Sequence, residues 1–221
     1  MICRSPDRSR LKTSTLPVAR SRLRPPSSTV RPIACLITDR HRLPEPTSEG
    51  VLRQVVAAAA AGIQLIQIRE RGLEGRQLFE LTRRVVDATR GTPARVLVND
   101  RLDIALAARA HGVHLRGDSG PASRVRAVTP PGFLIGRSVH SVAEAAAAGE
   151  VDYLLFGNVF ETGSKPGRPG AGLQQLSDVV RATTRPVLAV GGLSAERVPD
   201  VMAAGAAGFA AISMFAEQGC R

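Results

Sequence analysis

From Ile33 onward, short apolar runs alternate with longer stretches in which apolar residues recur at helical spacing. The runs predict strands over 33–38, 63–69, 95–99, 112–115, 133–138, 152–157, 187–190 and 208–213. The stretches between them predict helices over 48–61, 73–89, 101–110, 121–128, 141–148, 173–182 and 195–204. The strand runs are too apolar for a sheet with one wet face, so a parallel sheet covered by helices is expected. Eight strand-then-helix units in ~190 residues match a compact α/β fold of the (β/α)8 TIM-barrel type. Only residues 214–221 follow the eighth strand, so the last helix is expected to be truncated or missing. The flank there would be open or covered by a partner subunit, which suggests a homodimer.

Charge divides the chain in two. Of the net +11, residues 1–31 hold +7, and they are rich in Ser, Pro and Arg with no hydrophobic periodicity. They are expected to form a disordered basic tail, too poor in apolar surface to offset the entropy of ordering. Their composition resembles an organellar transit peptide, and an over-extended gene start reads the same way. Residues 32–221 then form a single barrel domain, only mildly basic. Seven aromatics in the whole chain, none of them Trp, leave no stacking platform for nucleic acid. No apolar run approaches the ~20 residues of a membrane span. Cys3, Cys35 and Cys220 show neither metal nor disulfide spacing, so a reducing, cytoplasmic setting and no metal are expected.

Reactive residues of such a barrel belong at the C-terminal strand ends, where the polar residues of this chain collect. Arg69 and Arg71 follow the second strand, Asn99 and Asp100 the third, Ser138 and His140 the fifth. Arg69 and Arg71 share parity, and two converging guanidiniums imply an anionic ligand; a surface ion pair through Glu70 is the competing reading. After the sixth strand come Thr162, Ser164 and Lys165. Lys165 is one of only two lysines among 30 basic residues, and Lys is not interchangeable with Arg. Gly191 and Gly192 after the seventh strand, with Ile212 and Ser213 after the eighth, suit a phosphate, because glycines let backbone N–H groups approach an anion. A tight turn would use the same glycines. His140 is the histidine placed among these groups, with a pKa near ~6.5 suited to proton transfer; a structural or capping role is its alternative. His111 and His114 read as core or rim residues.

The segments QIRER, VNDRLDIALAARAHGVHL, GRSVHS, DYLLFGNVFETGSK and AVGGLSAERVPDVMAAGAAGFAAIS resemble the thiamine phosphate synthase and thiazole tautomerase superfamily, in order, from Ile33 to Phe215. The resemblance implies a barrel acting on a small-molecule thiazole phosphate in thiamine biosynthesis. The synthase joins that phosphate to a pyrimidine pyrophosphate and needs Mg²⁺. Its pattern carries a Lys where Arg71 stands and an Asp where Ser119 stands. Mg²⁺ bridging a pyrophosphate wants oxygen ligands, so loss of that carboxylate turns the expectation to the tautomerase, an isomerase without cofactor. In that role Gly191, Gly192, Ile212 and Ser213 would hold the phosphate and Arg69 and Arg71 a carboxylate. Asn99, Asp100, Ser138, Thr162, Ser164 and Lys165 would line the substrate, and His140 would move the proton. The synthase, and a non-catalytic thiazole-phosphate-binding regulator, are the alternatives.

Overall fold

The computed structural model describes residues 31–162, 167 and 169–215. The expected basic tail, Arg31 excepted, and the expected truncation of the last helix both lie outside the described residues, as do Ser164 and Lys165. Eight strands form a closed parallel barrel in chain order, β8 pairing back onto β1. They are β1 (Ile33–Ile37), β2 (Leu65–Ile68), β3 (Arg95–Asn99), β4 (Gly112–Leu115), β5 (Leu134–Val139), β6 (Tyr153–Gly157), β7 (Val187–Val190) and β8 (Gly208–Ala211). The helices between them are α1 (Ser48–Ala60), α2 (Gly75–Ala88), α3 (Leu102–Ala107), α4 (Ala122–Ala127), α5 (Val142–Ala146), α6 (Gly172–Arg181) and α7 (Val198–Ala203). The expected (β/α)8 barrel is present. Among the described residues no helix is long and apolar enough to cross a membrane.

Local chemistry accounts for where the helices start and stop. Thr47 caps α1 by accepting from the Gly50 N–H at 3.1 Å, and Ser141 caps α5 by accepting from the Glu144 N–H at 3.1 Å. Glu74 and Gln77 form a reciprocal capping box at the start of α2. The helix expected over 101–110 ends at Ala107, because Arg109 takes a left-handed backbone with φ 55°. The helix expected over 195–204 divides into a 3-10 turn, Ala195–Arg197, followed by α7 with Pro199 in its first turn. Strand β8 stops at Ala211, and Ser213–Phe215 forms another 3-10 turn.

Period-two alternation sorts the strand residues into two cores. Leu36, Ile66, Val96, Val98, Ile135, Leu154, Phe156 and Ala189 point outward and pack under the helices. Cys35, Ile37, Leu65, Leu97, Leu134, Tyr153, Leu155 and Leu188 fill the barrel interior. That inner set is apolar toward the N-terminal strand ends. Near those ends Arg126 donates to the Phe133 carbonyl at 2.6 Å and pairs at 2.6 Å with Asp152, which also accepts from the Ile135 N–H at 2.8 Å. One clasp thereby joins α4, β5 and β6 at the base.

Candidate active site

Toward the C-terminal ends the barrel interior turns polar. Gln67 is two residues above Leu65 and Asn99 two above Leu97, and Gln67 Nε2 donates to Asn99 Oδ1 at 2.8 Å. Gln67 is buried, and its Oε1 has no partner among the described residues, which leaves an acceptor in the upper layer. Next to Asn99 in register is His114, itself beside Gly136, which lies beside Tyr153. His114 is 1% exposed; its Nδ1 lies 3.0 Å from the Tyr153 hydroxyl and its Nε2 2.9 Å from Ser138 Oγ. Burial, and secondarily the Arg137 charge, pull the His114 pKa down to about 3, so the ring is neutral. Burial raises the Tyr153 pKa well above its ordinary value, so the phenol keeps its proton.

Asp100 closes strand β3 in a left-handed conformation, φ 54°, with its N–H donating to the His114 carbonyl at 2.9 Å. Its carboxylate accepts from the Ser119 hydroxyl through Oδ1, and Oδ2 lies 3.8 Å from the Arg116 guanidinium. Ser119 is itself held by the Arg116 N–H at 2.9 Å. Asp118 is exposed and pairs with the same Arg116 guanidinium. Arg137, on the outer face of β5, donates to the carbonyls of Gly117, Ser119 and Gly120 and so pins the loop that presents Ser119.

Burial first, then the Arg71 charge, lowers the Arg69 pKa. The competing surface pair through Glu70 does not form. Glu70 is buried, accepting from the Arg40 N–H at 3.0 Å and the Arg40 guanidinium at 3.3 Å. That guanidinium also donates to the Arg71 carbonyl at 2.9 Å. The cation paired with Glu70 thus comes from the loop after β1.

Gly191 and Gly192 have positive φ, 98° and 64°, and both face the loop after β6. A Cβ on Gly191 would strike Asn158, and one on Gly192 would strike Phe160 and the Glu161 carbonyl. Close approach of two loops therefore demands these glycines, whatever else they bind. The Val159 N–H donates to the Val190 carbonyl at 2.9 Å and the Phe160 N–H to the Gly191 carbonyl at 3.1 Å. Arg197 stacks 4.7 Å over the Phe160 ring while donating to the Gly192 carbonyl at 2.7 Å. Ser213 accepts from Arg42 at 3.4 Å. His140 is exposed at the rim, its Nδ1–H donating to the Gly157 carbonyl and its N–H to Glu144 at 2.8 Å. The structure thus gathers Asn99, Asp100 and Ser138 with Gln67, His114 and Tyr153, three residues the sequence analysis did not assign. For Gln67 the signal was parity, which it shares with Arg69 in the same predicted strand.

Comparison with known proteins fits this barrel. The family model described as thiamine monophosphate synthase matches residues 34–215. The chain is 46% identical over 165 residues to a thiamine-phosphate synthase of Methanoculleus marisnigri, covering 73% of this chain and 78% of that one. It is 38% identical over 185 residues to a thiamine-phosphate synthase of Chlorobium luteolum, covering 82% and 84%. A solved thiamine phosphate pyrophosphorylase from Pyrococcus furiosus superposes with a TM-score of 0.72 at 32% identity, covering 84% and 88%. These names overturn the expected tautomerase: the relatives are synthases, which are transferases and not isomerases. The expectation had given too much weight to one lost carboxylate at Ser119, because Mg²⁺ held jointly with a substrate phosphate needs only one or two.

Proposed function

The chain belongs to the thiamine monophosphate synthase family, and we propose that it is a thiamine-phosphate synthase joining a thiazole phosphate to a pyrimidine pyrophosphate. In that reaction the thiazole nitrogen bonds to the pyrimidine methylene carbon, the carbon–oxygen bond to pyrophosphate breaks, and pyrophosphate leaves with its electron pair. The site observation that carries the reading is Asp100, a carboxylate presented by left-handed backbone in the polar upper layer of the barrel, beside Asn99 and the Ser119 hydroxyl. A carboxylate and a hydroxyl in contact supply oxygen ligands of the kind a metal-dependent transfer to and from pyrophosphate uses.

The donor set fits Mg²⁺. A carboxylate and a hydroxyl already in contact supply two oxygens, and Mg²⁺ completes its shell with water and substrate phosphate. Among the described residues no cluster of three or more His, Cys, Asp or Glu forms a ready cage, which agrees with a site shared with the substrate. Asp100 and Ser119 would hold the ion, whose chemistry there is to neutralise charge on the departing pyrophosphate. The expectation of a reaction without metal belonged to the tautomerase and goes with it.

The remaining roles follow from charge and position. Arg69 and Arg71 face the pyrophosphate, with Asn99 and Ser138 as neutral donors and Thr162, Ser164 and Lys165 as the groups of the loop after β6. Gly191, Gly192, Ile212 and Ser213, after β7 and β8, take the thiazole phosphate. The proton-transfer role of His140 has no step to serve in this reaction. Its ring instead ties the loop after β5 to the end of β6 through the Gly157 carbonyl.

Purified protein supplied with Mg²⁺ and both half-substrates is expected to form thiamine phosphate and release one pyrophosphate per turnover. Absence of product at saturating substrate, with the protein folded, refutes the assignment.

A further inference from the structure

A serine hydroxyl that is to hold an anion must point its proton at it, yet hydroxyls rotate unless a neighbour fixes them. Ser138 has such a neighbour. The His114 ring is neutral and carries one N–H, and both of its nitrogens are engaged, Nδ1 by Tyr153 and Nε2 by Ser138. Two arrangements are conceivable. In one, Ser138 donates to Nε2, Nδ1–H donates to the phenol oxygen, and the phenol proton must find another acceptor. Tyr153 is fully buried, and among the described residues its hydroxyl has no second partner, so this arrangement strands a buried donor. In the other, the phenol donates to Nδ1 and Nε2–H donates to Ser138 Oγ. Every buried proton is then satisfied, and the serine proton is left for the cavity.

We infer that Tyr153 and His114 form a positioning relay that makes Ser138 an obligate hydrogen-bond donor toward the anionic end of the substrate. Gly136 makes the relay possible. It lies between the two residues in the sheet, and its missing side chain is the space through which the phenol reaches the imidazole. Neither ring need touch the ligand; both act through the serine. The inference deepens the synthase reading and rests on it only for the identity of the anion.

The test has two readouts on the full chain. First, ¹⁵N NMR of ring-labelled histidine is expected to show His114 protonated on Nε2 and bare on Nδ1, and Tyr153→Phe to mix the two tautomers. Second, Mg²⁺–pyrophosphate binding is expected to weaken about 10-fold in Ser138→Ala, the loss of one hydrogen bond to a charged group. Tyr153→Phe should lose part of that affinity, and the double variant should be no weaker than Ser138→Ala alone. A protonated Nδ1 in the unaltered protein, or losses that add in the double variant, overturns the relay. An unaltered protein that binds pyrophosphate with the expected tautomer but makes no thiamine phosphate refutes the synthase reading and leaves the relay intact.

Discussion

Replacing Gly136 with alanine is a one-methyl perturbation at the centre of the upper layer. The new Cβ would fall on Cζ and Cε1 of Tyr153 and against its hydroxyl. That ring is fully buried, so it cannot swing into solvent. Forcing a methyl group into a packed core costs ~1–3 kcal/mol. Displacing the phenol also breaks its bond to His114, at about 1 kcal/mol net. The sum, about 3 kcal/mol, corresponds to a drop in Tm of roughly 6–12 °C at ~2–4 °C per kcal/mol for a chain of this size. Thermal unfolding followed by circular dichroism reads the effect directly. Adding Tyr153→Leu to Gly136→Ala removes the collision and is expected to return most of the lost Tm without returning activity. A Gly136→Ala protein that melts within 2 °C of the unaltered one, or a double variant less stable than the single, refutes the packing account.

Stability should also fall in mild acid. His114 titrates at about 3 in the fold against ~6.5 unfolded, so between these values the unfolded chain binds more protons and stability rises with pH. Denaturant titrations from pH 6.5 down to 4.5 are expected to show a loss approaching 1.4 kcal/mol per pH unit from this group, and His114→Gln should flatten the slope. Arg40→Ala leaves the Glu70 carboxylate, 1% exposed, with only a backbone partner; a loss of about 3 kcal/mol is expected, most of it recovered by pairing Arg40→Met with Glu70→Leu. Arg137→Ala frees the loop that presents Ser119. The Mg²⁺ concentration for half-maximal rate should rise about 10-fold, with kcat at saturating metal nearly unchanged; an unchanged Mg²⁺ requirement counts against the clamp. Asp100→Asn keeps the shape and removes the charge, and is expected to lower kcat/KM by at least about 100-fold in the synthase assay.

The barrel was legible because buried parallel strands leave a coarse mark: eight apolar runs bounded by polar turns, none mistaken for a helix. The polar upper layer left almost none. One Gln or His inside an apolar run, such as Gln67 or His114, does not disturb the pattern, and its neighbours appear only once the strands are in register. Asn99, His114, Gly136 and Tyr153 are spread over 55 positions of sequence and adjacent in the sheet. Glu70 misled for the same reason. Its flanking arginines invited a local pair, whereas its partner Arg40 lies thirty residues earlier. The choice between two reactions of one superfamily turned on Ser119, where residue type alone could not show that its hydroxyl touches Asp100.

The nested loops after β6 and β7 carry a consequence for natural variation. Residues 158–161 rest in the hollow that the glycines at 191 and 192 leave, under the guanidinium of residue 197. A side chain gained at 192 would meet the Glu161 carbonyl, backbone that no change of side chain removes, and a shortened residue 160 removes the shelf on which residue 197 lies. These three places should drift as a set, so a relative that changes one and keeps the others has had to redraw the seam between its two loops.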